Sequence, residues 1–404
     1  MRSCDGLDKQ RNTGAGRADE LRQGVLVVRV LLGEFHTANS CYAESLNSDT
    51  SVLVAPRGAR SRLCPLRGDR LQPTKVLVTG AGGFIGSHLV TYLKKQGYFV
   101  RGVDLKLPEF SASDADEFLL LDLRRWENCL KATAGMDHVY ALAADMGGMG
   151  FISAHHAEIL HNNALINIHT LEAARQNQVK RYLYTSSACI YPEYKQLDTN
   201  VTPLKEEDAY PAQPQDAYGW EKLLTERLCI HYHQDYGMDV RIVRFHNIFG
   251  PNGTWEGGRE KAPAAMCRKI ANAKSKGENS IEIWGDGEQT RSFCYIDDCV
   301  IGIYKLMLSN YTEPLNLGQD RLISINELAD MVAAAAGIRI QKIHVDGPQG
   351  VRGRNSDNSR LRAVLGWEPE ISLEEGIRRT YCWIEQQVRQ KAASASAQHV
   401  SAGR

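Results

Sequence analysis

From about residue 74 the sequence predicts an α/β fold, a doubly wound parallel sheet with a smaller, interleaved C-terminal region. Three observations predict it. Short apolar segments alternate with helical ones, the pattern of a sheet covered on both faces. A glycine-rich turn, Gly80-Ala-Gly-Gly83-Phe-Ile-Gly86, joins the first apolar segment to a helical stretch. An acid, Asp104, closes the second apolar segment.

Lys75 to Thr79 reads as the first strand, and Ser87 to Lys95 as the helix after it, because Ile85, Leu89 and Leu93 recur every four residues on one face. Phe99 to Val103 is the second strand. Phe118 to Leu121 is the third, ending before Asp122, and His138 to Ala143 the fourth, ending before the loop Ala144 to Gly150. A long helical region through Ile166 and Leu171 precedes a fifth strand, Arg181 to Thr185, which delivers Ser187 just past its carboxyl end. Open parallel sheets bind their ligands at that edge. Val240 to Phe245 repeats the strand signal and ends in His246-Asn247. After about residue 250 the alternation weakens into glycine-rich and charged loops, with helices expected at Ala262 to Ala273, Ile325 to Ala336 and Leu373 to Val388. Together these features describe a Rossmann-type sheet over residues 74–250. Residues 251–390 form mainly a second region with segments returning to the first, and 391–404 a flexible tail.

Lys+Arg and Asp+Glu both total 48 in the 404 residues, so net charge favours neither nucleic acid nor a membrane surface as a partner. The apolar run Gly24 to Leu32 is broken by Arg29 and is far shorter than the roughly 20 residues that span a bilayer. The ten cysteines show no CxxC spacing, which points to reduced thiols in the cytoplasm and to no metal site. Residues 1–73 mix many Arg with acids, Gly and Ser and have no sustained periodicity; disorder is the expectation. An organellar transit peptide is the alternative, opposed by Asp5, Asp8, Asp19 and Glu20. An over-extended reading frame is a third.

In a turn between strand and helix, glycines let backbone N–H groups approach a pyrophosphate, and an acid after the next strand accepts from a ribose hydroxyl. Gly80, Gly83, Gly86 and Asp104 satisfy both contexts. Asp104 favours NAD by repelling a 2′-phosphate, while Lys106 leaves NADP open. Tyr218 and Lys222 stand four apart on an expected helix and face one way. With 16 Tyr in the chain that spacing alone is weak, but an upstream strand-end Ser187 makes the three read as a hydride-transfer set. Tyr218 is then the base for a hydroxyl proton, its phenol expected to be acidified from about 10 by Lys222 and an oxidised nicotinamide, and Ser187 holds the reacting oxygen. Cys189 alone is more often a small buried hydrophobe. Two residues from Ser187, however, a thiol can take a proton from carbon beside a ketone. Arg259 and Lys261 lie in the glycine-rich stretch Gly253 to Pro263, either as surface charges or as a loop delivering Lys261 to a sugar. Arg291, Arg352 and Arg354 add cations suited to a diphosphate.

In Ala144-Asp-Met-Gly-Gly-Met-Gly150, Ser186-Ser-Ala-Cys-Ile-Tyr-Pro-Glu193, Gly253-Thr-Trp-Glu-Gly-Gly-Arg-Glu-Lys-Ala-Pro-Ala-Ala265 and Val351-Arg-Gly-Arg-Asn-Ser-Asp357 the chain resembles the GDP-mannose 3,5-epimerase family. These are extended short-chain dehydrogenases/reductases of the NAD-dependent epimerase/dehydratase type, and the resemblance runs from about Lys75 to about Glu385. It implies NAD as cofactor, GDP-mannose as substrate and a homodimer. It also implies transient oxidation at C4, inversion at C3 and C5 by Cys189 and Lys261 acting on opposite faces, and re-reduction. The products are GDP-L-galactose and, by C5 inversion alone, GDP-L-gulose, supplied to ascorbate synthesis. By the same resemblance Gly80, Gly83, Phe84, Ile85, Gly86, Asp104, Lys106 and Asp122 hold the cofactor with Tyr218 and Lys222. The sugar nucleotide falls to Gly147, Ser187, Ala188, Cys189, Asn247, Glu260, Lys261, Ala262, Lys269, Gln289, Thr290, Arg291 and Arg354. Glu256 stands where the family pattern has Lys. A 4-epimerase or 4,6-dehydratase would use Ser187, Tyr218 and Lys222 without needing both a thiol and a lysine. A silent dinucleotide-binding regulator would need none of the five.

Overall fold

The computed structural model describes residues 73–402, with side chains to residue 394. The extension expected to be disordered lies outside the described residues. Strand β1 (Lys75–Thr79) is buried at every residue after the first, and its Val76, Leu77 and Val78 are apolar in succession because helices cover both faces of the sheet. Helix α1 (Phe84–Lys95) buries Leu89, Val90 and Leu93 against it and ends in Lys94 and Lys95, which oppose the negative end of the helix dipole. Strands β2 (Phe99–Asp104) and β3 (Glu117–Leu120), helix α2 (Trp126–Thr133) and strand β4 (His138–Ala141) complete the first half. The single turn α3 (Met149–Ile152) and the long α4 (His156–Gln176) lead to β5 (Arg181–Ser187). Helix α5 (Ala217–Tyr236) starts at Asp216, whose carboxylate accepts from the Gly219 N–H at 2.8 Å, and stops at Gly237 in the left-handed conformation. Strands β6 (Val240–Phe245) and β7 (Ile248–Phe249) follow.

Beyond residue 250 the order is α6 (Ala262–Lys276), β8 (Ser280–Trp284), β9 (Thr290–Arg291), β10 (Cys294–Tyr295), α7 (Ile296–Leu308) and β11 (Pro314–Leu317). Then come β12 (Ile323–Ser324), α8 (Ile325–Ala336), β13 (Gln341–Val345), β14 (Gly353–Arg354), α9 (Ser359–Leu365) and α10 (Leu373–Ala402). Helix α10 runs past the expected end at Val388 and through the segment read as a tail.

Seven parallel strands form the main sheet in the order β11-β6-β5-β4-β1-β2-β3. Six were expected. The seventh, β11, returns from the second region to pair with β6; it begins with Pro314, which an edge strand tolerates because its outer N–H positions need no partner. The small sheets carry the second region, and β14 lies beside β9 with Arg354 opposite Arg291.

Between β6 and α5, Arg244 and Glu226 form an ion pair at 2.7 Å with both side chains about 2% exposed or less. The Ser186 hydroxyl donates to the same carboxylate. The Arg244 guanidinium also donates to the Tyr191 hydroxyl at 3.2 Å and to the Glu206 carbonyl at 2.7 Å. Removing one partner strands a buried charge. Glu226→Ala is therefore expected to lower the unfolding free energy by about 3–5 kcal/mol, measured as a lower urea midpoint; a loss below about 1 kcal/mol would show that Arg244 finds compensation elsewhere.

Candidate active site

A cavity of about 900 Å³ opens at the carboxyl ends of the strands, where the sheet order reverses between β1 and β4. Its first end is built by the glycine turn. Gly80 has φ +71°, and a Cβ on Gly86 would lie 2.1 Å from the Gly80 carbonyl oxygen, so α1 can start this close to β1 only with glycine there. The Gly83 N-cap offers no side-chain cap and the first turn of α1 has no acid. The Gly83 N–H donates to the Gly80 carbonyl at 3.0 Å, and Phe84, Ile85 and Gly86 at the positive dipole end line the cavity. Asp104 lines the same wall and accepts from the Gly82 N–H at 2.9 Å, which ties the turn to the end of β2. Asp122 also lines it, held by Arg124 at 2.8 Å, whose hydrogen bonds keep the carboxyl below the usual range. Lys106 sits at the rim and pairs with Glu109 at 3.5 Å. An uncapped helix start, a glycine cradle and an acid beyond β2 fit a dinucleotide without a 2′-phosphate.

The middle of the cavity is lined by Ser187, Ala188, Cys189, Tyr218 and Lys222. Ser187 ends β5, and its hydroxyl accepts from the Cys189 N–H at 3.2 Å, which fixes the short helical turn Ala188–Ile190. Lys222 donates to the Thr185 carbonyl at 3.1 Å and stands 5.5 Å from the Tyr218 ring centre. Burial pushes the Tyr218 phenol well above its ordinary range, charge on Cys189 and Glu221 adds to this, and the Ser187 hydroxyl works the other way. Burial pushes Lys222 down.

Opposite stands the loop before α6. Gly257 and Gly258 take positive φ of +91° and +88°, and the Arg259 guanidinium reaches Asp145 at 3.1 Å while lying 3.7 Å from the Phe151 ring centre. The Gly148 N–H donates to the Arg259 carbonyl at 3.0 Å. These contacts fasten the loop across the segment 144–150 and set Lys261, the N-cap of α6, in the cavity wall. Burial lowers the Lys261 ammonium below its usual range, and charge on Cys189 pulls it back up. Thiol and amine thus face one space from different elements. Glu260 lines the wall too, its carboxylate engaged by Arg268 and by the Gly258 N–H, each at 2.7 Å.

Gly147, Asn247, Ala262, Lys269, Gln289, Arg291 and Arg354 line the remainder. Lys269 donates to the Glu282 carbonyl at 2.6 Å and lies 5.8 Å from the Trp284 ring. Arg291 donates to the carbonyls of Thr290 and Val351, each at 2.7 Å; burial, then Arg354, lowers its pKa. Because these acceptors are neutral carbonyls, the positive charge is left for an anionic ligand. The Thr290 side chain points elsewhere. Neighbours on a strand point to opposite faces, so Gln289 and Arg291 line the cavity while the Thr290 hydroxyl turns away to donate to the Thr199 carbonyl. Asp145, Trp284 and Gln349 also line it and were not singled out from the sequence. Asp145 lies within a quoted motif, but nothing local marks Trp284 or Gln349.

An uncapped glycine turn, a strand-end Ser, and a Tyr and Lys four apart on one helix define a hydride-transferring enzyme of the short-chain dehydrogenase type. Residues 76–318 match the NAD dependent epimerase/dehydratase family, and the chain belongs to that family; its cofactor is NAD. It is 54% identical over 324 residues to a GDP-mannose 3,5-epimerase of Arabidopsis thaliana, covering 80% of this chain and 85% of that protein. With GDP-L-fucose synthase of Escherichia coli it shares 29% identity over 77% of this chain and 96% of that one. The structure is similar to that of UDP-glucuronic acid 4-epimerase from Bacillus cereus in complex with UDP-glucuronic acid and NAD, with a TM-score of 0.66 at 27% identity, covering 78% of this chain and 100% of that one.

Gly86→Ala places a methyl group against backbone that cannot turn aside. The expected result is NAD affinity weaker by about 10- to 100-fold, measured as nucleotide retained after dialysis of the folded protein. Full retention would mean the turn is not the pyrophosphate site.

Proposed function

We propose that the protein epimerises GDP-mannose at C3 and C5 to GDP-L-galactose, with GDP-L-gulose as the product of C5 inversion alone. The observation that supports this most directly is the pair Cys189 and Lys261, presented by separate elements to the cavity that also holds Ser187, Tyr218 and Lys222. The 54% identity to a protein named for this reaction supports it as well. Lys269, Arg291 and Arg354 supply the positive charge that a diphosphate needs.

When bound at the glycine turn, NAD supplies the site that takes the C4 hydride and later returns it, together with positive charge beside the Tyr218 phenol. Ser187 holds the C4 oxygen by a hydrogen bond, and Tyr218 takes its proton. Lys222, buried and hydrogen-bonded to the Thr185 carbonyl, keeps a cation near the phenol and favours the phenolate. A ketone at C4 makes the hydrogens on C3 and C5 acidic. Inversion at each centre needs a proton to leave one face and another to arrive on the opposite face, so one group is insufficient. Cys189 comes from the β5 side and Lys261 from the start of α6; burial lowers the Lys261 pKa below its usual range, which eases proton release from the ammonium. Tyr218 finally returns its proton to the C4 oxygen, so the reaction has no net redox change.

As further parts of the same reading, the chain acts as a homodimer in the cytoplasm and its product supplies L-galactose units for ascorbate. Family resemblance supports the dimer and the ascorbate role. The seven free cysteines among the described residues accord with a reducing compartment.

Incubating GDP-mannose with the enzyme in deuterated water is expected to place deuterium at both C3 and C5, read by NMR of the recovered sugar nucleotide. Label at neither carbon would sink this reading. Cys189→Ser is expected to retain NAD and the sugar nucleotide and to lose about 100-fold or more of the exchange rate; an unchanged rate would return Cys189 to a packing role.

A further inference from the structure

Cys189 is touched by a guanidinium whose aim is set by a residue outside the cavity. Arg354 donates from Nη1 to Cys189 Sγ at 3.2 Å and from Nε to Gln196 Oε1 at 2.6 Å. Gln196 does not line the cavity and is fully buried. Its Nε2 donates to the carbonyls of Tyr191 and Pro192 at 3.0 and 3.1 Å, so the amide cannot flip without setting donors against carbonyl oxygens. Its own carbonyl accepts from the N–H groups of Arg352 and Gly353 at 3.0 and 3.2 Å. Gln196 thus fastens β14 to the segment that follows Cys189 and fixes the guanidinium on the sulfur.

We propose that Gln196 is a positioning residue for the proton transfers, orienting Arg354 on Cys189 without neutralising it. This rests on the epimerase reading for its catalytic consequence. The choice of amide has a physical reason. A carboxylate at 196 would orient the guanidinium equally well but would cancel its charge, leaving less to support negative charge on sulfur when the thiol gives up its proton. Among the described residues Arg354 has no carboxylate partner within ion-pairing distance, so its charge serves the sulfur and the ligand. Tyr218 and Lys222 on α5, Lys261 before α6 and Arg291 on β9 also interact electrostatically with Cys189, but among the described residues Arg354 alone donates to Sγ. The step served is simple in its balance. Sγ–H gives its proton to one ring carbon, or the sulfur takes one from it, and the guanidinium stays protonated throughout.

Gln196→Met keeps the volume and removes the side-chain hydrogen bonds to Arg354, Tyr191 and Pro192, while the main-chain bonds to Arg352 and Gly353 remain. With NAD content within twofold of wild type, C4 oxidation, seen as the transient absorbance of reduced nicotinamide, is expected to hold within about twofold. Deuterium exchange at C3 and C5 is expected to fall by about 10- to 100-fold. Equal losses in both steps would indicate a merely structural role and overturn the proposal, as would exchange at the wild-type rate. A second arm needs no sugar. In the NAD-loaded protein, alkylation of Cys189 by iodoacetamide, read by peptide mass mapping, is expected to slow by about tenfold or more in Gln196→Met; an equal or faster rate overturns the proposal. Wild-type protein that labels neither C3 nor C5 would refute the epimerase reading while leaving the alkylation arm to decide this one. If Gln196→Met does not accumulate folded, Arg354→Lys breaks the same bridge from its other end. That variant is expected to slow alkylation equally, and an unchanged rate overturns the proposal.

Discussion

The buried pair of Arg244 and Glu226 sets the geometry on which the rest of the site depends. Each charge costs several kcal/mol to bury without its partner, so α5 cannot slide along β6 without stranding both. Helix α5 presents Tyr218 and Lys222, β6 leads to Asn247, and the Ser186 hydroxyl bonded to Glu226 precedes Ser187. One ion pair thereby fixes three contributors to the cavity relative to one another. Its value lies in specifying one arrangement, since an apolar substitute of equal volume can match it in stability but not in register.

Around that frame, burial shifts the titrating groups. It lowers the pKa of Lys222 and Lys261, raises that of Tyr218, and lowers that of Arg291 beside Arg354. The cavity cations Lys269 and Arg291 direct hydrogen bonds to carbonyl oxygens, which orients them without cancelling their charge. Gln196 repeats that device at Arg354.

Much of the fold was legible because local rules decide it. The run Val76-Leu-Val78, the strand Val240 to Phe245 and the helix Ile325 to Ala336 have the lengths and patterns their burial requires, and the structure places them at those residues. Strand β11 was not legible, for Pro314 and Asn316 give a weak strand pattern and only pairing with β6 makes it one. The boundary of α10 was missed because its last turns, rich in Ala and Ser, lack the apolar spacing that marks a buried face. Which side chains around Thr290 face the cavity was not legible either, because a resemblance transfers a segment whereas strand alternation decides which of its side chains face inward.

By itself the sequence determined the parallel α/β sheet, the dinucleotide turn with Asp104, the hydride-transfer set of Ser187, Tyr218 and Lys222, and the family. These follow from residue types at short separations, where backbone geometry leaves few choices. Only the tertiary structure decided that Arg354 touches Cys189 across 165 positions of chain, that Gln196 holds it there, and that Arg259 fastens the loop bearing Lys261 to Asp145. No local pattern encodes such contacts. They exist because β14 pairs with β9, and because the loop before α6 crosses the segment 144–150, once the sheet and its helices have closed.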